Sequence, residues 1–130
     1  MTRIALFSDL HLASDPEQRA YGLWPLLENY QVLATFLRDF ESYGIGISGV
    51  VGNHDQRGFL VQVLGHPNTL VAGLLTTKVV FREAIWLFLD TQLGIHEVRG
   101  CVGRRQQEWM EKEMALAPEK SFIVVGHHHP

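Results

Sequence analysis

An α/β fold follows from three features of the chain. Short apolar runs recur at residues 2–8, 45–51, 84–89 and 121–125. Between them lie segments whose apolar residues repeat at helical spacing. Four of the strand ends run into a carboxylate, an amide or an imidazole, and open α/β sheets keep their chemistry just beyond the carboxyl ends of strands.

The spacing predicts the elements in order. Residues 2–8 form a buried strand, broken at Ser8-Asp9, and residues 12–25 a loop in which Tyr21 and Trp24 pack. Residues 26–43 are the clearest helix: Leu33, Phe36, Leu37 and Phe40 recur on one side, Arg38, Asp39 and Glu41 on the other, and Gly44 stops it. These apolar residues are expected in the core. A second strand spans 45–51, a helix 56–64 and a turn 65–68 containing His66. Residues 70–81 and 84–90 are rich in β-formers and joined by Arg82-Glu83, which predicts a hairpin. The run 84–89 is apolar on both faces, as a central strand requires. After a glycine-spaced loop over 92–103, Met110, Met114 and Ala117 mark a helix over 106–117 that Pro118 ends, and 121–125 is the last strand.

A length of 130 residues allows one domain, 1–130. A net charge of −3 offers no basic stripe and does not favour nucleic acid. The single Cys101 forms no internal disulfide, and no apolar run reaches membrane-spanning length or forms a signal peptide. A cytoplasmic location without membrane attachment is the expectation.

The strand ends carry the chemistry. Asp9 and His11 are two apart in an extended segment, so both can face one ion. Gly52-Asn53-His54-Asp55 follows the second strand, Asp90 the fourth, and His127-His128-His129 the last. Gly-Asn and His-Asp also make ordinary turns, so no single pair decides the matter. Together, oxygen and imidazole donors without thiolate suit Mn, Fe or Zn. Two such ions about 3.5–4 Å apart are the usual means of hydrolysing phosphate esters.

Asp9-x-His11, Gly52-Asn53-His54-Asp55 and a late His-His-Pro together resemble the calcineurin-like metallophosphoesterase superfamily. Leu87-Phe88-Leu89-Asp90-Thr91, the glutamine-rich helix with Trp109, and residues 124–130 resemble its cyclic-nucleotide and glycerophosphodiester phosphodiesterase branch. The resemblance implies a metallophosphoesterase-type α/β/β/α sandwich, a small phosphodiester substrate such as a cyclic nucleotide, and two divalent ions. It implies that Asp9 and His11 bind the first metal, Asn53 and His128 the second, and that catalytic His54 contacts the scissile phosphate and helps the leaving oxygen depart. A second alignment sets Gly126-His127-His128-His129 on the family's later Gly-His-x-His.

The chain departs from the family in two places. The Gly-Asp-x-x-Asp motif, whose aspartate bridges the metals, is missing between His11 and Gly52. A gap of about 30 residues, one strand-helix unit, is placed near Pro25-Leu26. The final Gly-His-x-His would lie beyond Pro130. Asp15, Glu17 and Asp39 are the nearest carboxylates in sequence, none at the end of a central strand. An incomplete sandwich is therefore expected, with unpaired strand edges that favour a partner, including a second copy. Two function readings stand: a metal-dependent phosphodiesterase, or a non-catalytic remnant that binds at most one metal weakly, since two cations without a bridging carboxylate repel.

Overall fold

The computed structural model describes residues 3–7, 27–64 and 69–129. The elements are β1 (Arg3–Phe7), α1 (Leu27–Ser42), β2 (Ile45–Gly49), α2 (Arg57–Leu64), β3 (Thr77–Val80), β4 (Ala84–Phe88), α3 (Arg104–Leu116) and β5 (Ser121–Val125). The chain is mixed α/β, as expected. Among the described residues β1 and β2 pair in parallel, while β4 lies between antiparallel β3 and parallel β5 in a second sheet. Strand registers bring carboxyl ends level: Phe7 lies opposite Gly49, and Phe88 opposite Val125.

The apolar run of β4 is central as its pattern requires, with Ile85, Leu87 and Phe88 buried and Leu89 buried just beyond it. A hairpin joins it to β3, closed by the Phe81 N–H donating to Ala84 O at 2.8 Å. Lys120 seals this end, its ammonium donating to the carbonyls of Phe81 and Arg82 at 3.0 and 2.8 Å. Around the other sheet, Tyr30, Val51, Leu60 and Leu75 form a fully buried cluster flanked by Leu33, Phe59, Val61, Val63 and Leu64. Gly44, at φ 70°, ends α1 in a left-handed conformation, its N–H bonded to Glu41 O at 2.9 Å.

Two expectations change. The face of α1 that enters the core is Tyr30, Leu33 and Leu37, at i, i+3 and i+7; Phe36 lies on the flank, 57% exposed, with its ring edge-on to Phe40 at 5.0 Å. The β-rich stretch 70–81 is only partly a strand, because residues 71–74 turn through Gly73 at φ 76°. Thr76 stabilises that turn, its Oγ1 accepting the Val71 N–H at 2.7 Å, and β3 begins only at Thr77.

Candidate active site

Beyond β2 the buried pair Val50-Val51 anchors a tight turn made by Gly52-Asn53-His54-Asp55. Asp55 builds it: its buried carboxylate accepts the Gly52 N–H at 2.9 Å, while its own N–H donates to Gly52 O at 3.2 Å. The turn-forming role and the site role of the motif are thus divided between its residues, and Asn53 and His54 are left half-buried at the surface of the turn.

Three more side chains fix that turn. The Gln56 N–H donates to Tyr30 Oη at 2.8 Å, tying the turn to α1. From beyond β4, the Gln92 amide donates to the carbonyls of Gly52 and Asp55 at 2.8 and 2.7 Å. Arg57, opening α2, binds Asp90 through Nε at 2.6 Å and a terminal nitrogen at 2.9 Å, and also donates to Gln92 O. Asp90, one of the strand-end carboxylates, is thereby occupied: its buried oxygens also accept the N–H groups of Leu75 and Gln92, both at 3.2 Å. It holds the loops together rather than presenting an acid or ligand.

The three histidines after β5 separate in space. His127 points to the turn, its Nε2 3.3 Å from Asn53 Oδ1. His128 packs the other way, with Nδ1 2.8 Å from Thr91 Oγ1 and its N–H donating to the same oxygen at 3.3 Å. Its ring occupies space that a side chain at position 100 would fill, since a Cβ on Gly100 would collide with it. His129 is exposed. The structure therefore brings His127, and not His128, to Asn53. Asp9, His11 and His66 lie outside the described residues.

His54 meets a residue to which the sequence assigns no role. Its Nδ1 is 3.2 Å from Nδ1 of His96, with ring centroids 5.1 Å apart at 64°. The His96 N–H donates to Asn53 O at 2.5 Å, and its φ of 65° is left-handed. Next to it, the Arg99 guanidinium holds the Glu97 carboxyl below the usual carboxylate range. Within one sequence nothing singles out His96 or Gln92, which reach the turn across 42 and 37–40 residues.

Two donors sharing one ion at about 2.1 Å each, near a right angle, stand about 3 Å apart. Asn53 Oδ1 and His127 Nε2, 3.3 Å apart, fit one edge of such a site. Among the described residues no group of three or more His, Cys, Asp or Glu side chains could hold a metal.

Over 82 residues the chain is 35% identical to the 3',5'-cyclic adenosine monophosphate phosphodiesterase CpdA of Escherichia coli strain K12, covering 61% of this chain and 27% of that protein. The same protein of Escherichia coli O157:H7 matches equally. The chain is similar in part to a cyclic-nucleotide phosphodiesterase. It spans only about a quarter of the length of these relatives, at 27%. No family model matches the chain. No helix among the described residues is long and apolar enough to cross a membrane.

Proposed function

We propose that this chain carries the site of a divalent-metal-dependent phosphodiesterase acting on a cyclic nucleotide or similar small phosphodiester. The observation that carries the reading is the approach of Asn53 and His127 across 74 residues, beside His54 and beyond the carboxyl ends of two parallel strand pairs. The partial similarity to CpdA points to the same chemistry. The stacking of two sheets into an α/β/β/α sandwich and a cytoplasmic location belong to the same proposal.

In this reading Asp9 and His11 bind one divalent ion, and Asn53 binds the second together with His127, which takes the place that the motif alignment gives to His128. When bound, such ions supply Lewis acidity and lower the pKa of water. His54 contacts the phosphate and gives its proton to the departing oxygen, a role that requires the proton on Nε2 if Nδ1 faces His96. Asp55, Gln92 and Tyr30 keep the turn rigid, so that Asn53 and His54 need no reorganisation on binding. The missing bridging aspartate favours the second reading, a remnant that binds at most one metal weakly.

The test is manganese-dependent hydrolysis of bis(4-nitrophenyl) phosphate by the chain, with His54→Ala, His127→Ala and His128→Ala alongside. Expected are turnover lost in His54→Ala with bound manganese retained, and manganese lost in His127→Ala but retained in His128→Ala. Turnover that survives His54→Ala overturns the assigned role. No turnover by the folded chain establishes the remnant.

A further inference from the structure

A cavity of about 400 Å³ opens where the start of α2, the loop after β4 and the start of α3 meet. Three arginines line it: Arg57 from α2, and Arg104 and Arg105 from α3. Leu74, Leu93 and the Cys101 thiol form its less polar wall.

The one carboxylate in that wall does not neutralise these cations. Asp90 has about four acceptor positions, and all are filled, by two nitrogens of Arg57 and by the N–H groups of Leu75 and Gln92. It balances Arg57 alone. Arg104 has Glu108, in an exposed pair through Nε at 2.9 Å that is weak in water and leaves both terminal nitrogens to solvent. Arg105 has no hydrogen-bond or ion-pair partner among the described residues. Three lining cations against one anion leave a surplus of two positive charges, in a chain whose net charge is −3.

The stability of α3 does not account for this placement. Cations in the first turn oppose the helix dipole, and α3 has neither an acidic residue there nor a side-chain cap at Gly103. The two arginines therefore cost the helix stability, and what they border is the cavity. A dianion matches the surplus charge, and guanidinium groups offer phosphate oxygens paired N–H donors. The volume lies in the range of small-molecule sites, and the two leucines give an organic group an apolar surface.

We propose that this cavity binds an organic phosphate monoester, its dianionic head held by Arg104, Arg105 and the Nη1 that Arg57 does not use on Asp90 or Gln92, its organic body against Leu74 and Leu93. Asn53, His54 and His127 do not line the cavity, so the site is distinct from theirs and stands whether or not the chain hydrolyses a phosphodiester.

Cys101 is the single cysteine of the chain, is exposed and borders the cavity, so its alkylation by iodoacetamide reports occupancy of this place. Phenyl phosphate, inorganic phosphate and phenol are compared as protectants, with EDTA present so that no divalent ion holds the phosphate elsewhere. Protection is read as the ratio of rates with and without protectant in each variant. Phenyl phosphate is expected to protect saturably, phosphate to protect only at higher concentration, and phenol not at all. The half-protecting concentration of phenyl phosphate should rise on the order of ten-fold in Arg105→Gln and further in the double variant Arg104→Gln, Arg105→Gln. Both arginines are exposed, and Arg105→Gln breaks no side-chain contact among the described residues, so the fold is kept. Protection by phenol equal to that by phenyl phosphate, protection unaltered in the double variant, or no protection by any of the three overturns the site. Inorganic phosphate as effective as phenyl phosphate overturns the organic part of the ligand.

Discussion

Gln106 grips the main chain of Asp90 from both sides: its Oε1 accepts the Asp90 N–H at 2.9 Å and its Nε2 donates to Asp90 O at 2.6 Å. Both residues are buried, so neither main-chain group can turn to water if the amide is removed. Gln106→Ala is expected to lower unfolding stability by about 2–4 kcal/mol, the cost of two stranded polar groups. Gln106→Glu, which sets a buried carboxylate oxygen against the Asp90 carbonyl, should cost at least as much. Urea unfolding at neutral pH measures both; a loss below about 0.5 kcal/mol in the alanine variant would show the clamp to be absent.

Arg57 and Asp90 form a two-pronged ion pair whose carboxylate side is fully buried. Arg57→Ala leaves that charge buried with only main-chain N–H donors and is expected to cost about 3 kcal/mol. Asp90→Asn in the Arg57→Ala background should recover part of the loss, because the stranded charge is gone. A double-mutant cycle by denaturant unfolding checks this, and strict additivity of the two changes would contradict it.

At position 100 the absence of a side chain lets the His128 ring pack against the loop. Gly100→Ala is expected to displace that ring, break its contact with Thr91 Oγ1 and cost about 1–3 kcal/mol. Proton shifts of His128 and Thr91 that stay in place in a stable variant would refute the arrangement.

Glu97 accepts from Arg99 through both the main chain and the guanidinium, at 3.3 and 3.2 Å, and its carboxyl is held below its ordinary range. Because the folded-state value is the lower one, any stability it adds is present above the unfolded-state pKa and lost as pH falls through the folded one. Carbon-13 titration should place Glu97 below the usual carboxylate range, and Arg99→Ala should return it towards that range.

The elements themselves were largely legible because each carries its own period or stop: the strand over Ser121–Val125 and the helix ended by Gly44 needed no distant partner to be recognised. Phe36 shows the limit of that reading, since a helical stripe of apolar residues is wider than the face a neighbour covers. Gly73 shows another: a glycine within β-formers marks a turn only when its φ is known. At the site, motif residues could be named, but the alignment chose His128 where the structure brings His127 to Asn53, because β5 ends at Val125 and the strand alternation that would sort the histidines ends with it. His96 and Gln92 were invisible for a different reason. Their meaning lies in contacts across about forty positions, which no local pattern encodes.

The parallel pairing of β4 with β5 bears on how the chain assembles as it is made. β3 reaches β4 locally through the hairpin, but β5 is synthesised 37 residues after its partner in register, with all of α3 between. Until then the β4 edge that will receive β5 has no strand to bond, although it carries Leu87 and Phe88, which are buried in the finished fold. Pairing of β5 and delivery of His127 to Asn53 are therefore the same late event, and it moves the sheet's edge from β4 to β5, whose Ile123 and Val124 stay exposed.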